Sequence, residues 1–306
     1  MRLSSLIPFG MALGLAISAV DVRAQAPSSS EQDEPTTKIE DVEVVGAEAP
    51  AELRRRIEAF VETNMAPPRG RNMARWSKPV CIGTANLSAQ YAQVVIDRIA
   101  QRIIEVGGDV QGPGCKVDIM VIGTADGAAM ARELVDNDPR GYRPSLNATD
   151  RGSAALEAFQ QGEAPVRWWH VSLPVSVDTG QIAVRLEGEE PQEMAVRQVS
   201  RLRSTIRDDL ARSVIVIDFN KLPQNVRVGA LADYAAFIAL AQVNPEGDTR
   251  GQDTILNLFH DPVNVREFTQ FDFDYLSALY KAPPNSLTSS AQTRAVASEM
   301  LRDRRQ

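Results

Sequence analysis

The sequence predicts an α/β fold, of α+β arrangement, in which a mixed sheet is crossed by one long helix and followed by a buried helix and a C-terminal helix. Three observations carry this. The strand-like run PVCIGTA (79–85), the helical stretch 89–106 and the strand-like run KVDIMVIGT (116–124) follow one another in the order of a βαβ unit. SVIVIDF (213–219) is a continuous apolar strand of the kind covered on both faces. VGALADYAAFIALAQV (228–243) is apolar nearly all round, the signature of an enclosed helix.

From the N-terminus, Arg2 precedes an apolar run from Leu6 to Val20, and Val22-Arg23-Ala24 supplies a small-x-small pattern. Residues 1–24 therefore read as a secretory signal peptide cleaved after Ala24. The run is too short for a membrane helix, which needs roughly 18 or more apolar residues, and no later segment approaches that length. A soluble chain in the periplasm or outside the cell is expected. Residues 25–50, rich in Ser, Pro, Thr and acidic residues, read as a disordered linker. Within it IEDVEVVGA (39–47) is strand-prone and resembles the short segment by which TonB-dependent receptors engage their energising partner.

A single domain is expected over 51–282. It opens with a helix over 51–65, where Leu53, Ile57, Phe60 and Val61 form one apolar stripe. Across 89–106, Val94, Val95, Ile99, Ile103 and Ile104 share a helix face, and the flanking strands should lie parallel in one sheet. Residues 126–136 form a further helix, ended by Asn137-Asp138-Pro139, and 139–161 read as irregular or weakly helical. VRWWHVSLPVS (166–176) and QIAVRLEGEE (181–190) alternate apolar and polar residues around Asp178-Thr179-Gly180, which predicts a hairpin. A polar helical stretch is expected over 192–211. Asn244-Pro245 stops the apolar helix, and Thr269 with Asp272 three residues on predicts a capped helix over 268–280, with Phe273, Leu276 and Tyr280 inward. Residues 283–306 read as a polar tail with a short helix ending in Arg302, Arg304 and Arg305.

Composition narrows the function. With 33 Lys and Arg against 40 Asp and Glu the net charge is −7, which argues against nucleic acid or an anionic membrane as a general partner. The best candidate for a local basic patch is Arg69, Arg71 and Arg75 around Trp76, in a Pro- and Gly-rich connector. Cys81 and Cys115 are the only cysteines; in an oxidising compartment a lone pair is most simply a disulfide, and no Cys-x-x-Cys spacing favours a metal or redox pair. No Gly-x-Ser-x-Gly, Walker or Rossmann pattern occurs, so no phosphate or dinucleotide cofactor is expected.

Residues 213–280 resemble the catalytic half of the metzincin zinc proteases, whose signature is H-E-x-x-H-x-x-G-x-x-H followed by a Met-turn. Aligned on it, the three histidines fall on Ala232, Ala236 and Gln242, the glutamate on Asp233, the glycine on Ala239 and the Met-turn methionine on Leu256. The resemblance implies a metzincin-like frame. It also implies lost chemistry, because a catalytic zinc needs about three imidazole, thiolate or carboxylate ligands, and a methyl group has no lone pair to donate. Asp233 is one methylene shorter than the glutamate it replaces, which retracts a general base.

A catalytically degenerate binding or scaffold component of the cell envelope is the expectation, with no cofactor and with an unidentified envelope protein or peptide as partner. The alternative is a hydrolase with a relocated metal held by His170, His260 and Asp233. Asp233 in an apolar helix needs a partner: a neighbouring loop that it caps, an arginine such as Arg227, a group near His260, or a ligand in a residual pocket. Trp168 and Trp169, neighbours on a strand, point to opposite faces, so one can lie in the core while the other is exposed; the resemblance implies that the 167–175 segment is the edge strand along which those proteases bind peptides by strand addition, the alternative being ordinary sheet packing.

Overall fold

The computed structural model describes residues 50–146, 148–190 and 200–303. The signal peptide, the linker with its 39–47 segment, and residues 192–199 of the expected polar helix lie outside the described residues.

Helix α1 (Pro50–Asn64) buries Leu53, Ile57, Phe60 and Val61, the stripe its spacing predicts. Strand β1 (Ile82–Ala85), helix α2 (Ala89–Glu105) and strand β2 (Ile119–Thr124) form the βαβ unit, and β1 pairs parallel to β2. On α2 the buried positions Val95, Ile99 and Ile103 are four apart and lie on one face. Gly107, at φ +83°, ends the helix in the left-handed conformation that glycine adopts without strain, and its N–H bonds the carbonyl of Ile104. A disulfide joins Cys81, just before β1, to Cys115, just before β2. Asp118 ties the same corner, accepting from the Cys81 N–H at 2.9 Å and from Lys78 at 2.6 Å.

Next come α3 (Gly127–Asn137), capped by Asp126 through the Ala129 N–H, the short α4 (Pro139–Tyr142), capped by Asp138, and α5 (Ser153–Gln161). The stretch 139–161 is thus more helical than its sequence suggests; its helices are short and bury little beyond Tyr142 and Phe159, so apolar periodicity is weak. Strand β3 (Val166–Ser176) follows, then β4 (Ile206–Asp218).

The open four-stranded sheet has the order β1-β2-β4-β3, with β2 and β4 parallel and β3 antiparallel to β4. Inner strand β4 is buried throughout from Ser213 to Asp218. Its alternation divides two layers: Ile215 and Ile217 face the large core with α1, α2 and the later helices, while Val214 and Val216 face a smaller core with Ala131, Val135, Tyr142 and Phe159.

The hairpin expectation needs correction. The turn at 178–180 forms, with Ser176 N–H bonded to Gln181 O and Ala183 N–H to Pro174 O, but pairing stops there and residues 184–190 form no strand. The next outward N–H of β3, that of Ser172, is already taken by the Thr149 carbonyl at 2.8 Å. Residues 206–211 are strand rather than helix. The strand period is obscured by Asp208, an inward carboxylate whose partner, Arg71, is remote in sequence.

Helix α6 (Val228–Leu240) is buried continuously from Ala230 to Leu240 and ends at Ala241, earlier than Asn244-Pro245, so Gln242 lies beyond it. A single 3-10 turn spans Ile255–Asn257, and α7 (Gln270–Lys281) carries the reciprocal Thr269–Asp272 capping box. Its inner face centres on Phe271, Tyr275, Leu276 and Leu279; of the expected trio, Phe273 and Tyr280 are only half-buried. The segment beyond 282 is not a bare polar tail: α8 (Ser289–Asp303) places Val296, Ala297, Met300 and Leu301 in the large core.

Candidate functional site

The metzincin-motif positions are enclosed. Ala232, Asp233 and Ala236 are 0% exposed, so no cleft opens over them. Asp233 is held from three sides: Arg102 Nε donates at 3.0 Å, Arg98 Nη1 at 3.4 Å and the Phe268 N–H at 3.2 Å. Both arginines project from α2, and the Arg102 guanidinium also lies 4.4 Å from the Phe268 ring centre. Burial pulls the Arg102 pKa down, but hydrogen bonds to Asp233 and Glu105 outweigh it and leave it raised. The arginine partner expected for Asp233 is found, but it is Arg98 and Arg102 of α2 rather than Arg227; the carboxylate also accepts from the loop N–H of Phe268 and so joins α6 to α2 and to the start of α7.

Gln242 is equally structural. Its Oε1 accepts from the Ala74 N–H at 2.7 Å, and its Nε2 donates to Ser172 Oγ at 3.2 Å. Leu256 is buried in the 3-10 turn. There Asp272 accepts from the N–H groups of Ile255 and Thr269 at 2.7 and 3.0 Å. Burial pushes the Asp272 carboxyl up to about 6, against the hydrogen bonds from Thr254, Thr269 and Ile255.

The two histidines are apart in role and place. His170 lies under α6 with Nε2 2.8 Å from the Ile238 carbonyl, so Nε2 carries the proton; burial lowers its pKa to about 4. His260 is exposed and lines an open cleft with Arg250, Asp253 and Asn264. Among the described residues no three His, Cys, Asp or Glu side chains are grouped to hold a metal ion, and no helix is long and apolar enough to cross a membrane.

Trp168 and Trp169 do point to opposite faces, but both are buried, which corrects the expectation of one exposed ring. Trp168 Nε1 donates to the Val243 carbonyl at 3.0 Å, and Trp169 Nε1 to the Tyr142 carbonyl at 2.8 Å. The basic cluster is also largely committed. Arg71 pairs with Asp208, Arg75 Nη1 donates to the carbonyls of Leu279, Tyr280 and Ala282 at the end of α7, and Trp76 Nε1 donates to Ala239 O.

The outer edge of β3 is a further candidate, although its residues are buried: Val166 is 1%, Trp168 8% and His170 9% exposed. In the antiparallel register with β4, Asp218 N–H bonds Pro165 O, so the backbone groups of Arg167, Trp169 and Val171 turn inward and those of Val166, Trp168 and His170 turn outward. The outward groups from Ser172 onward are engaged by Thr149, Ala183 and Gln181. Those of Val166, Trp168 and His170 have no backbone partner among the described residues. Beside Val166 and Trp168 lies a cleft of about 450 Å³, walled by Ala155, Ala158 and Phe159 of α5 and by Pro245, within the usual range of ligand pockets, about 300–1,000 Å³.

Arg167 lies at this cleft and is 5% exposed. Its Nη1 and Nη2 make only long contacts, 3.3 and 3.5 Å, to the carbonyls of Phe159 and Ala164, and its buried Nε has no hydrogen-bond partner. Burial lowers its pKa, opposed by the charges of Asp218, Glu163 and Asp126. No sequence pattern marks this site. An arginine beside two tryptophans on a strand reads as an exposed residue, and the wall of α5 comes from a stretch with little periodicity.

Comparison with protein-family models, with curated proteins and with solved structures finds no match to this chain.

Proposed function

We propose that the chain is a non-catalytic binding component of the cell envelope, built on a metzincin-like frame, that takes an extended peptide along the free edge of β3. The observation that carries this reading is the outward backbone groups of Val166 and Trp168, which have no backbone partner among the described residues and lie beside a cleft. Unpaired strand edges add a partner strand through main-chain hydrogen bonds, with adjoining pockets selecting its side chains. The metzincin-like frame is supported by the motif spacing in 228–242 and by the antiparallel strand at the edge of an otherwise parallel sheet. Loss of catalysis is supported by methyl groups at two ligand positions and by the engagement of Asp233 with arginines. Export is supported by the 1–24 pattern together with a disulfide; sequencing the exported chain, expected to begin at Gln25, tests it.

Amide hydrogen exchange tests the binding reading. In the presence of strand-forming peptides the N–H groups of Val166 and Trp168 gain protection while those of β2 do not change. Unchanged exchange at both positions rules out strand addition. Stoichiometric zinc lost on His260→Ala, or proteolysis abolished by a chelator, replaces the whole reading with a relocated-metal hydrolase.

A further inference from the structure

The cleft between α5 and β3 has apolar walls and a charged mouth. Ala155, Ala158 and Phe159 of α5 line it together with Val166, Trp168 and Pro245, and it encloses about 450 Å³. Ala158 and Pro245 are exposed, so the space opens to solvent. Small-molecule sites combine a mostly apolar lining of this kind with a few fixed polar groups. Arg167 is not one of these: its Nε and Nη2 lie against Gly127 and Asp218, and the Nε is closed off from solvent.

Arg151, at the mouth, is such a group. Its backbone is pinned on both sides: the Thr149 carbonyl accepts from the Ser172 N–H at 2.8 Å, and the Asp150 carboxylate accepts from the Gly152 N–H at 2.8 Å. Its guanidinium donates to Asn244 Oδ1 at 3.3 Å, and Asn244 is in turn tied to the carbonyls of Thr63 and Asn64. Partial burial lowers the Arg151 pKa, and Glu246 opposes this only at longer range; Arg151 forms no ion pair among the described residues. Glu163, the other carboxylate lining the cleft, is engaged by Lys221. The N-terminus of α5 adds the positive end of a helix dipole beside Arg151, and its Gly152 cap supplies no side-chain acceptor. A planar guanidinium with donors to spare matches a carboxylate.

We propose that this cleft binds a small apolar monocarboxylate, whose hydrocarbon part packs against Ala155, Ala158 and Phe159 and whose carboxylate pairs with Arg151. Burial of the hydrocarbon supplies the affinity, and the charge fixes the orientation. A second carboxylate on the ligand meets Glu246 and Glu163, which line the same cleft, so a monoanion is preferred to a dianion. The inference concerns the cleft and not the backbone edge of β3, so it goes beyond strand addition and does not depend on it.

The test titrates the full chain, by calorimetry, with hydrocinnamate and octanoate and with the corresponding amides, which keep the apolar part and lose the charge. Each acid is expected to bind about fivefold or more tightly than its amide, the usual weight of a hydrogen bond to a charged group. Phenylsuccinate, a dianion with a similar apolar part, is expected to bind more weakly than hydrocinnamate. Arg151→Gln is expected to bring the acids down to the level of the amides. Ala158→Phe, which fills the cleft from an exposed position, is expected to abolish binding of both. Circular dichroism establishes that the variants fold, and the comparison of acid with amide on the unaltered chain decides the role of the charge even where one does not. Equal binding of acid and amide overturns the carboxylate assignment. Binding that survives Ala158→Phe places the ligand elsewhere and overturns the site. Binding of none of the probes overturns the inference outright and leaves strand addition, read by exchange at Val166 and Trp168, untouched.

Discussion

Asp233 and Arg167 pose the same problem, a charge removed from water, with opposite answers. Asp233 has two guanidiniums and an N–H within hydrogen-bond reach, and it binds α6 to α2. Arg167 has two long carbonyl contacts and an orphan Nε. The first is a direct tie between elements, and the second is offset at longer range by the charges of Asp218, Glu163 and Asp126. His170 shows a third solution, remaining neutral, with a folded pKa of about 4 against 6.5 for the ordinary side chain. The unfolded state takes up the proton first, so this contribution to stability is present above pH 6.5 and is lost as pH falls toward 4, by about 3 kcal/mol. In urea titrations the stability gap between the wild-type protein and His170→Gln is expected to narrow by that amount between pH 7 and 4. A gap that is constant with pH would exclude a buried neutral imidazole.

Among the elements, α8 departs most from its sequence. Its 289–303 stretch is polar on average, yet Val296, Ala297, Met300 and Leu301 form a compact face that closes the large core against α1 and α7. Met300 is 0% exposed, so Met300→Ala is expected to cost about 2–5 kcal/mol, the usual penalty for a buried cavity of that size. Calorimetric melting checks this, and an unchanged transition would return α8 to the status of a tail. α6 lies at the other extreme. Its apolar residues surround the whole helix, so burial could be read without knowing its neighbours. β3 was legible as a strand because its residues alternate, but its position at the edge was not, since pairing order depends on where β4 inserts.

At the scale of the molecule, the three-layer arrangement encloses α6 and leaves open clefts elsewhere, one beside β3 and another at His260. The Cys81–Cys115 bond clamps the start of β1 to the start of β2, across a separation of 34 residues. Closing a loop of that size stabilises by roughly 3–4 kcal/mol through the unfolded chain. Reduction is expected to lower the melting temperature by several degrees while retaining a cooperative transition. Loss of all cooperativity on reduction would mean that the bond is required for the fold and does not simply stabilise it.

Local repetition within the chain determined the βαβ unit, the doubly buried strand, the enclosed helix, the capping box and the disulfide, because each rests on residues close in sequence or on a pair with no alternative partner. The absence of zinc ligands at 232, 236 and 242 was equally a property of the residues alone. Only the tertiary structure decided that Asp233 pairs with Arg98 and Arg102, that both tryptophans are covered, that 206–211 is strand, and that Arg167 lies buried beside Asp218 without an ion pair among the described residues. Each of these depends on which distant segment supplies a charge, a carbonyl or an apolar face, and the spacing of residues along a chain carries no record of that.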